Sequence, residues 1–437
     1  MKTITSLPSV RTCTCTLVSV LLISIFLPLL SCTPPASDPY AVQSRNQKAE
    51  SLQDVPIQTV HFALNTENNQ STPYELTLQA VAQLPSPMID GIQVQACDAL
   101  IYQNQLMVAY NTQGSNHHGA IQWIDLTRSD MPILRYEVLL PHSDVNRIRL
   151  YQNRYLIAAT GEKDEAARLE IFDLHPEPHW ISSINLPSFQ ANMLMLHGRY
   201  ALVSSADQGG VSIVDLSDPT QPQWQAYRPM RDVRYVEAIS DQELLIVTGG
   251  ADAMISRQSW PQTIEQATDR PQISPTHHTS LSNHRSNGLA SRNQQDFRLA
   301  DILGDGDVGA PTWGLIQDDH FYLSADRQGV LSFMLHDQGI DLQSQVNTEG
   351  DANAVMSSSF GYALLANGQE GLVVMDLSDP SHTRFLAHFD VPGDQGSANA
   401  IALRGHQVIL ADGLGGVKFL RTQLQRQTQG LSISQQQ

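Results

Sequence analysis

Short apolar runs recur along this chain, each interrupted by a turn rich in Asp, Asn and Gly. Residues 200–219 read YALVSSADQGGVSIVDLSDP, residues 362–380 read YALLANGQEGLVVMDLSDP, and residues 407–420 read QVILADGLGGVKFL. Each copy predicts a short strand, a tight turn, a second strand and, in two copies, a Ser-Asp-Pro turn. Weaker copies extend the series. Asp125 of Ile124-Asp125-Leu126 and Asp173 of Phe172-Asp173-Leu174 lie 48 residues apart, and Asp173 lies 42 before Asp215. The 161 residues from Asp215 to Asp376 hold three such periods and an excess of 35. Two further copies fit there, one over residues 236–250 and one over residues 313–334, with a single insertion. With the last copy, at residues 399–420, the total is seven.

A period of roughly 40–50 residues holding several strands predicts a propeller or related array. The final copy lacks a fourth strand, because residues 421–437 (RTQLQRQTQGLSISQQQ) carry no sufficient apolar run. The missing strand is found at the other end, in residues 74–84 (YELTLQAVAQL). A ring of sheets leaves open edges unless its ends meet, and open edges pair with other chains. The expectation is therefore an all-β, seven-bladed β-propeller over residues 73–421 whose last blade is closed by an N-terminal strand.

The copies resemble LVIVD repeats, whose members are similar to other seven-bladed propellers, over about residues 74–420. The resemblance implies an exported or cell-surface location more than a chemistry. Propellers host unrelated functions, so function has to come from a site.

Residues 1–31 read as a lipoprotein signal peptide: Lys2 and Arg11 precede an apolar run of 14 at residues 17–30, too short to span a membrane comfortably. Leu29-Leu30-Ser31-Cys32 resembles the bacterial lipobox, which implies lipidation of Cys32, and by the same resemblance Thr33 implies sorting to the outer membrane. Lipid chains anchor by burying methylenes worth about 0.8 kcal/mol each. Residues 32–72, with Pro34-Pro35 and the polar run QSRNQKAESLQD, are expected to be a flexible tether, and residues 422–437 a disordered tail. An insertion at 258–296, poor in apolar residues, is expected to leave the fourth blade as an excursion.

The chain has 26 basic and 44 acidic residues, a net charge of −18. Removing residues 1–31 takes away Lys2, Arg11 and no acid, giving −20. Such a charge argues against nucleic acid as a partner and supports solubility first. With Cys13 and Cys15 in the signal and Cys32 lipidated, Cys97 has no disulfide partner and reads as a small buried hydrophobe.

Two loop sets open on one face of such a propeller, and both are acidic. Loops entering each blade offer Asp144, Asp305, Asp307, Glu349, Asp351 and Asp394; turns between second and third strands offer Asp207, Asp326, Asn367 and Asp412. Tight turns require Asp, Asn and Gly whatever the ligand. A rim formed by Asp305, Asp307, Asp351 and Asp394 is also a possible Ca²⁺ site, since that ion takes six to eight oxygens. Asn146, Asn192, Asn353 and Asn399, with Asp98 in a similar place, begin inner strands and are expected either to cap their own loops or to ring the channel mouth. His277, His278, His284 and the pair His117-His118 read as solvated loop residues, without the fixed ligand set that zinc demands. No G-x-S-x-G, P-loop, H-E-x-x-H or C-x-x-C motif occurs.

The functional expectation is a membrane-anchored, non-enzymatic scaffold that presents its loop face to a protein or other envelope component, periplasmic or surface-exposed. Two alternatives stand beside it: an accessory factor of outer-membrane protein assembly, and a propeller hydrolase or oxidoreductase with a site at the channel mouth.

Overall fold

A computed structural model of the chain describes residues 39–427, apart from 53–54, 66–70, 113, 115, 129, 163–164, 206–208, 251, 261–295, 304–312, 338, 359–361 and 390–394. Among the described residues seven antiparallel blade sheets follow one another, the first six each a meander running outward from an inner strand, beside a two-stranded sheet of Met88–Ile89 and Ile92–Gln93. The inner strands are Gln95–Tyr102, Ser143–Tyr151, Met193–His197, Val233–Ser240, Trp313–Gln317, Ala354–Ser357 and Ala400–Arg404. The protein is a seven-bladed β-propeller, as the repeat predicts.

The strands of each blade are buried on both faces, which explains why they read as continuous apolar runs instead of alternating ones. In Tyr155–Glu162, Leu156 and Ala158 pack toward blade 1, whereas Ile157 and Ala159 pack toward blade 3. Among the described residues the buried apolar side chains form seven clusters, one at each blade junction. Fully burying one Leu or Val stabilises the fold by roughly 1.5–3 kcal/mol, so the junctions carry the ring. Outer strands have only one covered face and become polar, as in Gln223–Arg228.

The Asp-Leu-Ser-Asp-Pro copies prove to be structural. Asp215 Oδ1 accepts from the Ser217 amide at 2.8 Å, and Asp376 Oδ1 accepts from that of Ser378 at 3.0 Å. Arg199 and Arg384 pair with these same two carboxylates. The Pro carbonyls then tie neighbouring blades: Ser182 Oγ donates to Pro219 O at 2.5 Å and Ser344 Oγ to Pro380 O at 2.8 Å. The repeat signature thus fixes turns and blade spacing at the face opposite the rim.

Closure occurs where the sequence places it. Ser71–Leu84 pairs antiparallel with Val417–Arg426, from Leu84 opposite Val417 to Tyr74 opposite Arg426. The C-terminal strand runs five residues past the expected start of the tail at 422, because residues 74–78 of the closing strand extend to meet it.

The expected tether at 32–72 requires correction. Gln43–Lys48 pairs with the outer edge of blade 1, Glu50–Ser51 with residues 82–83, and Gln58–Asn65 with residues 71–78. All six residues of Gln43–Lys48 are exposed. An edge strand of this kind is held by backbone hydrogen bonds and needs no apolar face of its own, which is why composition misrepresents it. Arg45 Nη2 bonds Glu137 Oε1 at 2.7 Å, and Tyr40 OH donates to Glu170 Oε1 of blade 2 at 3.0 Å. The segment is a strap over the outer edges of blades 2, 1 and 7, across the seam where the ring closes. The insertion is narrower than expected, since Met254–Ser259 is the third strand of blade 4 and Trp260 is buried. Residues 261–295, including His277, His278 and His284, lie outside the described residues.

Deleting residues 39–52 uncovers two blade edges and removes both strap contacts. A loss of a few kcal/mol in a chain of this size corresponds to a melting-temperature drop of about 3–5 °C; an unchanged thermal unfolding curve contradicts the strap.

Candidate functional site: the rim and the channel throat

Entry loops and second-to-third turns meet on one face, and they do so across blade boundaries. Backbone bridges join Gly161 to Gln190, Asp326 to Ala352, Gly368 to Ala398 and Gly413 to Ala96. Beside them three of the inner-strand asparagines reach forward to the next blade. Asn146 Nδ2 donates to Ala191 O at 3.0 Å, Asn353 Nδ2 to Ala398 O at 2.8 Å and Asn399 Nδ2 to Ala96 O at 2.9 Å. Ala191 and Ala398 lie two residues before the next blade's inner strand and Ala96 is the second residue of its strand, so the carboxamides lock the blades in series. Asn192 holds the same register in blade 3, half-buried, with its amide on Ser204 O at 2.9 Å.

In blade 1 the asparagine place is taken by Cys97, not Asp98. Its Sγ donates to Val145 O at 3.0 Å, and burial pushes the thiol far above its ordinary range, which removes it as a nucleophile. A register shift between Ala96 and Asp98 moves the carboxylate one position deeper, where Oδ2 accepts from the Ile148 amide and from Arg149 Nη1, both at 2.9 Å.

Of the acidic rim, Asp305, Asp307, Asp394 and Asp207 lie outside the described residues. Asp351 is exposed, and its neighbour Asp326 is pushed up by burial and then by the Asp351 charge. Among the described residues no three His, Cys, Asp or Glu side chains are grouped to hold a metal ion. The buried turn residues serve the fold. Asn367 Nδ2 donates to Thr348 O at 2.9 Å and its Oδ1 accepts from Thr348 Oγ1 at 2.8 Å. Asp412 fills the corresponding place in blade 7, beneath Gly396 and Gly415, where an added Cβ would lie 2.5 Å from its Oδ2. Its nearest cation is Lys418, at 3.9 Å. Desolvation outweighs that attraction and pushes the Asp412 carboxyl up to about 7.

His117-His118 is not a solvated pair. His117 Nδ1 stands 2.7 Å from Asp144 Oδ2, with the two side chains 11% and 5% exposed. Thr112 donates to Asp144 Oδ1 from its amide at 2.8 Å and its hydroxyl at 3.0 Å. His118 Nδ1 meets Pro141 O at 2.6 Å. The turn of blade 1 folds down onto the entry of blade 2, and a buried carboxylate there needs donors, which the sequence neighbours of His117 do not reveal. Burial nonetheless raises the Asp144 carboxyl above its ordinary value.

The charged centre of the molecule is the channel throat. At one register level, set by pairing to the second strands, stand Asp98, Arg147, Met193, Tyr235, Trp313, Ala354 and Ala400. One level deeper come Arg149, Met195 and Glu237. Trp313 of blade 5 reaches across to blade 2: the Arg147 and Arg149 guanidinium carbons lie 5.3 and 5.0 Å from its ring centroid. Arg149 is fully engaged, bonding Asp98, the Ile148 carbonyl at 2.6 Å and Met195 Sδ at 3.8 Å. Tyr235 OH donates to Glu237, whose carboxyl is pushed up by burial. Sequence reasoning missed this centre because its residues differ from blade to blade and leave no repeat signature.

A model of the LVIVD repeat matches residues 190–225 and 349–391. The chain carries LVIVD repeats. The two matches cover blade 3 and blade 6, the copies with the full Asp-Leu-Ser-Asp-Pro turn, and so report the inter-blade clasp and not the throat. No curated protein sequence matches this LVIVD propeller. Among solved structures it is similar to a candidate 6-phosphogluconolactonase of Bacteroides fragilis, with a TM-score of 0.50, 11% identity, and coverage of 70% of this chain and 88% of the other. A candidate 6-phosphogluconolactonase of Bacteroides uniformis gives a TM-score of 0.50, 12% identity, and coverage of 70% and 89%. At these identities the likeness shows the fold alone.

Asp412 gives the LVIVD propeller a pH dependence of defined sign. Its carboxyl rises from an ordinary 3.8 to about 7, so the folded state binds the proton more tightly than the unfolded state. Stability from this group is therefore full below about pH 4 and is lost as pH rises through 7, by on the order of 4 kcal/mol. The gain in stability of Asp412→Asn over wild type should open across that interval in urea denaturation series. A gap that is constant from pH 4 to 8 refutes the assignment.

Proposed function

We propose that this LVIVD propeller is a lipid-anchored binding scaffold of the bacterial envelope, attached through Cys32 and presenting the rim to a protein or other envelope component. The observation that supports it is the forward locking of the rim: Asn146, Asn353 and Asn399 each fix one blade's mouth to the next. Loops carried on such a frame are held at fixed spacing, which lowers the ordering cost of binding a large partner. The order of basic start, apolar run and Leu-Leu-Ser-Cys supports the anchor, and the net charge of −18 favours a basic or cation-bridged partner over nucleic acid.

Replacing the lipidated position tests the anchor. Cys32→Ser should leave an unprocessed precursor or release the protein from membranes on fractionation. Maturation and membrane retention equal to wild type refute it.

A further inference from the structure

We propose that the channel throat is a binding site for a small ligand bearing a carboxylate or phosphate group, which docks on the free edge of Arg147 beside Trp313. This goes beyond the scaffold reading, which uses the rim and not the throat. The two arginines of blade 2 look alike in sequence but are used differently. Arg149 has a carboxylate partner, Asp98, at 2.9 Å. Arg147 has no carboxylate partner among the described residues, and its Nη1 is spent on two carbonyls, Cys97 O at 3.2 Å and Asn146 O at 3.1 Å.

What remains is the Nε–Nη2 edge, the side of a guanidinium that pairs in fork geometry with the two oxygens of a carboxylate or phosphate. Its Nε is buried and has no hydrogen-bond partner among the described residues, an uncommon state for a charged donor, which normally finds an acceptor inside a protein. The Trp313 ring, 5.3 Å away, fixes the guanidinium plane. Local charge agrees. Asp98 is committed to Arg149, and the Glu237 carboxyl is raised by burial and bonded by Tyr235 OH, so neither offsets Arg147. At the level of Arg147, blades 6 and 7 supply only Ala354 and Ala400.

The test is calorimetric titration and thermal unfolding of the purified full-length protein with sodium phosphate and with sodium succinate, each against sodium chloride at matched ionic strength. Saturable binding of either anion beyond chloride is expected, weakened at least about tenfold in Arg147→Lys, which keeps the charge but loses the fork, and abolished in Arg147→Met. A response to phosphate alone assigns phosphate esters, to succinate alone carboxylates, and to both the shared oxyanion chemistry. If Arg147→Met does not fold, Arg147→Lys decides. Absence of a response beyond chloride in wild type, or wild-type affinity in Arg147→Lys, overturns the proposal.

Discussion

The pairing of Ser71–Leu84 with Val417–Arg426 is the constraint on which everything else rests. Every other blade is a local meander that closes on itself, whereas this one joins the two ends of the chain. Without it the array has two raw edges, and the junction between blades 7 and 1, with Ala82, Leu84, Phe419 and Val417 on one side and Leu106, Val108 and Tyr110 on the other, loses its outer wall. The strap laid by Gln43–Lys48 and Gln58–Asn65 thickens that seam from outside. Buried Lys418 takes part as well: its Nζ donates to Gln83 Oε1 of the closing strand at 2.9 Å.

Closure fixes the ring, and the ring fixes the throat. Trp313 and the two arginines come from blades 5 and 2, on opposite sides of a seven-membered circle, and they meet only because the circle has that circumference. The rim is tuned in the same way, since a carboxamide that bonds the next blade's carbonyl works only when neighbouring blades keep their spacing. Two tiers result. The repeat residues, Asp215, Asp376 and the Asp-Pro turns, hold blade spacing, and residues that break the repeat, Arg147, Arg149, Trp313 and Glu237, make the charged throat.

That division explains what the sequence made legible. Blade number and closure follow from the repeat, because strands buried on both faces must be apolar throughout and so stand out from any polar background. The asparagine positions are visible for the same reason. The strap is not: Gln43–Lys48 is held by backbone bonds, and six exposed polar side chains carry no trace of that. Cys97 is hidden by a one-residue shift in register, which makes Asp98 look like the ring member. His117 looks solvated until the turn is folded over Asp144, and the throat is invisible because its residues differ from blade to blade and so leave no repeat signature.

Amide hydrogen exchange read by mass spectrometry tests the central claim most directly, because it reports whether the closing strand belongs to the ring's cooperative unit or only lies against it. The account predicts that peptides from Ser71–Leu84 and Val417–Arg426 are as strongly protected as the inner strands of blades 2 and 3, and that they exchange together with them. Rapid, independent exchange of Ser71–Leu84 while the other blades stay protected would contradict a ring closed by its own N-terminal strand.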